Sequence, residues 1–207
     1  MLTLLGKATS INVRKVLWTC DELGLECQLQ EYGSGHASTQ TLEFLALNPN
    51  GTIPVLRDGD FVLWESNAIC RYLATRYPRN GLMPEAIAER ALVEQWMDWQ
   101  IGELNPAWRY AFMALVRRSP SHPQQSRIDA STGEWNRLMS ILDGQLLKTG
   151  AYVTGSAFTL ADIVLGLSLY RWRMTPIEHA KLPALEAYFQ RLSLRPAFLT
   201  YGCNGIP

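Results

Sequence analysis

A chain of 207 residues, 47% hydrophobic and with seven tryptophans, has room for one large or two small packed domains and excludes wholesale disorder. Nineteen Lys and Arg balance nineteen Asp and Glu with no run of one sign, which argues against a nucleic-acid binder or a membrane-surface helix. Cys20, Cys27, Cys70 and Cys203 fit neither a redox pair nor a zinc site, MLTLLGKATS is too short an apolar stretch for a signal peptide, and no run reaches the roughly 20 apolar residues of a membrane span, so a cytoplasmic protein without metal is expected.

The apolar run Leu2 to Leu5, ended by Gly6, reads as a buried strand. Val13, Val16, Leu17 and Cys20 then follow helical spacing, with Ser10 as N-cap and Gly24 closing the helix. Cys27 to Tyr32 forms a second strand, and Leu42 to Leu47 a short helix halted by Asn48-Pro49. Ile53 to Leu56 and Phe61 to Trp64, separated by Asp58-Gly59, make a hairpin, and a helix from Ser66 to about Arg76 ends at Pro78. The order is β-α-β-α-β-β-α.

After a turn-rich stretch the texture turns helical. Glu85 to about Arg117 reads as one long helix kinked by Pro106. A second carries the stripe Trp135, Leu138, Met139, Leu142 and Leu146, and two more lie near Leu160 to Trp172 and Ala184 to Leu194. The expected division is 1–79, a linker at 80–85, and an all-α domain at 86–207.

Three stretches carry information beyond the pattern. In Asn50-Gly51-Thr52-Ile53-Pro54-Val55-Leu56 a proline opens a strand, where it cannot donate to the ladder. An ordinary trans bond there carries no function; a cis bond would leave the main chain of Ile53 free to pair with another peptide. In Trp64-Glu65-Ser66-Asn67 the start of a helix offers N–H groups to a carboxylate, and Glu65 suits an ammonium. The bland alternative makes Ser66 an N-cap and Glu65 a solvated acid. Thr159-Leu160-Ala161-Asp162, flanked by Phe158 and Ile163, is a capping-box variant with a hydrophobic staple and does no chemistry.

Together these motifs resemble the cytosolic glutathione S-transferases, over nearly the whole chain. The resemblance implies a thioredoxin-like α/β N-terminal domain and an all-helical C-terminal domain. It implies glutathione as co-substrate, held by Thr52, Ile53 and Pro54 and by the pair Glu65 and Ser66, and a homodimer acting on small hydrophobic electrophiles. The family's catalytic residue is a tyrosine, serine or cysteine near the end of the first strand. No tyrosine precedes Tyr32, and Cys20 lies on the apolar helix face. Thr9-Ser10-Ile11-Asn12, with Arg14 four residues after Ser10, looks like the serine-type spacing of the theta- and delta-like members. Ser10 is the first choice for the thiol contact; Asn12 and Thr9 compete with it. For the glycyl carboxylate, His36, Thr39 and Gln40 stand open, and none matches cleanly. Trp108, Arg109 and Phe112 would line the electrophile pocket, or Trp108 and Phe112 would be core. A glutathione-dependent isomerase or peroxidase on the same fold, and a non-catalytic binding module, are the alternatives.

Overall fold

The computed structural model describes residues 1–207. Strands β1 (Leu2–Gly6), β2 (Cys27–Glu31), β3 (Val55–Asp58) and β4 (Phe61–Trp64) form one sheet in the order β2-β1-β3-β4. The β1–β2 pair is parallel, while β3 runs antiparallel to both β1 and β4. The parallel pair requires a crossover, supplied by α1 (Ile11–Glu22); α2 (Leu42–Leu47) precedes β3, and α3 (Ser66–Arg76) follows β4. The hairpin loop is Gly59-Asp60. Its Gly59 sits at φ +60°, and Asp58 remains in the strand, accepting from the Tyr72 and Tyr77 hydroxyls at 2.8 and 3.2 Å.

The rest is helical: α4 (Ile87–Trp99), α5 (Asn105–Leu115), α6 (Gln125–Thr149), α7 (Leu160–Met174) and α8 (Pro183–Leu192). The long helix expected from Glu85 to Arg117 is a continuous rod, but not one kinked only at Pro106. A π-helical turn, Gln100–Leu104, joins α4 to α5, and Pro106 follows directly as the second residue of α5, where its missing N–H leaves one rung of the continuous ladder unmade. A second π-helical turn, Phe198–Gly202, leads to the last residues, and no periodic pattern announced either. Helix α7 is buried nearly all round, so it carries no amphipathic stripe.

The main apolar core runs through both halves. Trp18 of α1 packs on Phe158 and Phe198, ring centroids 5.9 and 5.3 Å away, and Gly166 of α7 leaves room for its indole. The stretch 80–85 is docked: Leu82 and Met83 are buried, and the Leu82 carbonyl accepts from Leu160 N at 2.9 Å. A smaller cluster, Leu5, Phe44 and Val55, seats α2 on the sheet.

At the head of α7, Asp162 is fully buried. Its carboxylate accepts from the N–H groups of Val153 (2.9 Å) and Thr159 (2.8 Å) and from the hydroxyls of Thr159 (3.1 Å) and Tyr188 (2.8 Å). This completes the expected capping box and also ties α7 to α8 and to the 150s loop.

Candidate functional site

Strand register decides which residues meet. Leu5 pairs with Val55, Gly6 with Glu31, and Val55 with Trp64. The end of β1, the start of β3 and the end of β4 therefore lie together at one end of the sheet. The segments that follow or precede them, Lys7 to Ser10, Thr52 to Pro54 and Glu65 to Ser66, converge there. Residues some 55 positions apart are gathered by three short strands.

Ser10 occupies the N-cap position of α1 (φ −79°, ψ 125°), where the N–H groups of the first turn and the helix dipole favour negative charge. Its side chain makes no capping bond, contrary to the cap expected from sequence. The hydroxyl is half-buried and free to donate. Asn12 is half-buried in the first turn of α1, two residues on, and Thr9 is exposed on the preceding turn.

The Ile53–Pro54 peptide is cis. Neither the N–H nor the C=O of Ile53 is engaged by another main-chain group, so both are open to an incoming peptide. Asn48, missed as a site residue in the sequence, shapes this loop: its buried amide donates to the Thr52 carbonyl at 2.8 Å and hydroxyl at 3.2 Å, and its Oδ1 accepts from Asn50 N at 3.0 Å. An Asn two residues before Asn-Gly was the available signal. Gly51 takes φ +60°, and a Cβ there would strike the Gln40 amide. Gln40 in turn reaches the Gly51 carbonyl at 3.4 Å and the Thr39 hydroxyl at 3.3 Å, which puts both residues against the loop. His36 turns away to Glu31, 3.2 Å distant.

Ser66 is 5% exposed and is the first helical residue of α3; the N-cap is Glu65, which corrects the reading of Ser66 as the cap. Glu65 has φ +72° and ψ +109°, a conformation that L side chains avoid, and it stays exposed. Such strain persists where the surroundings enforce it and clusters at functional sites. Behind it, buried Asn67 accepts from Lys15 Nζ (3.1 Å) and donates to the Met97 carbonyl (3.0 Å). Lys15 also donates to Gln100 Oε1 at 3.2 Å. No carboxylate pairs with this lysine, and burial pushes it down to about 8. The network braces the α3 start against α1 and α4; no local pattern revealed it.

Of the residues expected to bind an electrophile, two share a face and one does not. Trp108 and Phe112, one turn apart on α5, meet edge-on with centroids 5.3 Å apart, and Trp108 Nε1 donates to Asn105 Oδ1 at 3.0 Å. Phe112 is 3% exposed and belongs to the core, while Trp108 is half-buried; Arg109 stands exposed about 100° around the helix. The cavities of about 430 and 550 Å³ lie among α6, α7 and α8, lined by Trp172, His179 and Asn136 among others, and take no residue from the sheet half.

Residues 1–75 match the family model described as glutathione S-transferase, N-terminal domain, and residues 105–196 match that of the C-terminal domain. Glutathione S-transferase GstB of Escherichia coli strain K12 is 40% identical over 203 residues, covering 95% of either chain. Glutathione S-transferase 3 of Zea mays is 32% identical over 95% of this chain and 91% of its own. Among solved structures, the theta class glutathione S-transferase of Xanthomonas axonopodis pv. citri with glutathione bound superposes with TM-score 0.92 at 39% identity. That match covers 100% of this chain and 99% of the other.

Proposed function

The chain belongs to the glutathione S-transferase family by both halves of its sequence, and from that premise we propose that it ionises glutathione at the end of the sheet and adds the sulfur to small hydrophobic electrophiles. The γ-glutamyl end lies at Glu65 and Ser66, its carboxylate on the N–H groups of α3 and its ammonium beside Glu65. The cysteinyl main chain pairs with Ile53 next to Thr52 and Pro54, and the glycyl carboxylate lies towards Gln40. The thiol then falls at the start of α1.

One observation carries this reading: Ser10 stands at a helix N-terminus with its hydroxyl unspent on capping. A thiol near pKa 8.5 is only about 3% ionised at pH 7. A donated hydrogen bond in that field favours the thiolate, and lowering the pKa by about two units raises the ionised fraction roughly 25-fold. Further acceleration comes from holding the electrophile beside the sulfur, against Trp108. As sulfur forms its bond to carbon, the leaving group departs with the bonding pair, or a π bond or epoxide opens.

The domains take the bounds 1–79 and 86–207, joined by 80–85. Homodimer formation is supported by an apolar and basic face at β4 and α3: exposed Phe61 stacks on Tyr72 at 4.9 Å beside a groove lined by Arg71, Arg76 and Arg90. Four free cysteines suit a reducing, cytoplasmic setting. No helix is long and apolar enough to cross a membrane. The decisive experiment is turnover with glutathione against aryl halides, enones, epoxides and hydroperoxides. Conjugation of any of the first three supports the transferase; reduction of hydroperoxides alone makes the protein a peroxidase, and inactivity throughout with glutathione bound makes it a binding module.

A further inference from the structure

One chain of side-chain hydrogen bonds has both ends fixed by groups that can only donate. At one end the buried Lys15 ammonium donates to Asn67 Oδ1 at 3.1 Å and to Gln100 Oε1 at 3.2 Å. At the other the Trp108 indole N–H donates to Asn105 Oδ1 at 3.0 Å. Between them Gln100 Nε2 donates to the same Asn105 oxygen at 2.8 Å and to Ser168 Oγ at 3.1 Å. Neither an ammonium nor an indole N–H has an acceptor to offer, so each amide has a single satisfied orientation. Gln100 turns its oxygen to Lys15, and Asn105 turns its oxygen to Gln100 and Trp108.

The π-helical turn makes the chain possible. Residues five apart in an α-helix stand about 140° apart around the axis, too far round for short side chains to meet. Gln100–Leu104 is wound wider, with Asn105 N bonded to the Gln100 carbonyl, and the two amides come together. Gln100 is thereby buried between α1 and α7, while Asn105 and Trp108 remain half-buried. Such turns inserted in α-helices recur at functional sites.

The chain joins the two halves of the proposed site. Asn67 follows Ser66 in the first turn of α3, where the γ-glutamyl carboxylate is proposed to lie. Trp108 is the proposed wall for the electrophile. Phe112 meets its ring edge-on and Arg171 lies over its face, but the one protein acceptor for its N–H is Asn105. We propose that Asn105 is a positioning residue for the electrophile: its oxygen fixes the Trp108 indole as the pocket wall. Through Gln100 and Lys15 it ties that wall to the helix start that holds glutathione. This rests on the transferase reading above.

The test compares S-hexylglutathione, an unreactive thioether whose alkyl chain occupies the place of an electrophile, with glutathione itself in calorimetry. Wild type should bind the thioether more tightly. Asn105→Leu should cut that advantage at least about threefold, as for one lost hydrogen bond, while glutathione affinity stays within about twofold. Asn105→Asp, which keeps the acceptor, should retain the advantage. In a Trp108→Phe background, which has no indole N–H, Asn105→Leu should have no further effect. With chlorodinitrobenzene the same loss should appear in KM for the halide and not in kcat. Where Asn105→Leu does not fold, Asn105→Ala carries the comparison. No thioether advantage in the wild type, an equal loss for both ligands, or a loss that persists in the Trp108→Phe background overturns the role of Asn105; halide turnover then still leaves the transferase standing. Thioether binding that follows Asn105 as expected, with no electrophile consumed, refutes the transferase and leaves Asn105 in place.

Discussion

Replacing Ser10 by Ala separates a structural from a chemical role. An N-cap side chain that bonds the first turn contributes about 1 kcal/mol, but the Ser10 hydroxyl makes no such bond, so its loss should cost well under about 0.5 kcal/mol. For a chain of this length that is a fall in Tm of only about 1–2 °C. As donor to the thiolate, the same hydroxyl contributes a charge-assisted bond of about 1.5–3 kcal/mol, and its removal should raise the pKa of bound glutathione by about one to two units. Titrating the thiolate absorbance of the bound tripeptide measures this directly. Between pH 6 and 7, kcat/KM should fall at least tenfold, with an alkaline shift of the pH–rate profile, while glutathione affinity changes little. A loss of stability near 1 kcal/mol with an unmoved thiol pKa would refute the argument, since it would show a cap and nothing more. Asn12→Ala serves as the control: should it move the titration while Ser10→Ala does not, Asn12 holds the sulfur. If neither does, the N–H groups at the start of α1 are the main stabiliser.

Glu65 sits at φ +72°, so Glu65→Gly should be more stable than Glu65→Ala by about 1 kcal/mol in urea unfolding, although both lose glutathione affinity roughly tenfold by calorimetry; equal stabilities would remove the case for strain. Asp162→Ala orphans two buried N–H groups and two hydroxyls at about 1–3 kcal/mol each, and should abolish folding or lower stability by more than about 4 kcal/mol; a milder loss means the helix start finds other partners. Burial raises the Asp162 carboxyl from 3.8 to about 6. A raised carboxyl stabilises most below its unfolded value and loses that contribution as pH rises through about 6. The stability of wild type relative to Asp162→Asn should therefore decline from pH 4 to 7. Burial lowers Lys15 from 10.5 to about 8, so between those values the unfolded chain binds the extra proton and stability rises with pH. Lys15→Met should lack that rise; parallel curves for the two proteins would show that Lys15 is not desolvated.

Much of the molecule was already legible in the sequence because it depends on neighbours. Short apolar runs, turn signals and helical spacing define β1 to β4 and most helices within a residue or two, Asp58-Gly59 marks the hairpin, and Phe158 to Asp162 specifies the start of α7. The segments Thr9 to Asn12, Thr52 to Pro54 and Glu65-Ser66 stand out for the same reason: each is a short run with its own backbone requirement. Other features were decided only by tertiary packing. The π-helical turns insert a residue that no 3.6-residue period encodes, and the left-handed Glu65 is imposed by the junction of β4 with α3 rather than by its own preference. The Ser10 hydroxyl reads as a cap by position and is free by geometry. Lys15 finds its acceptors 52 and 85 residues away, and Arg14 meets the tail at separations of 187 to 193. Both sit in a helix whose pattern assigns polar residues to solvent. Once α7 and the tail close over that face, water is excluded, and a charge that looked solvated must be answered by whatever the fold brings beside it.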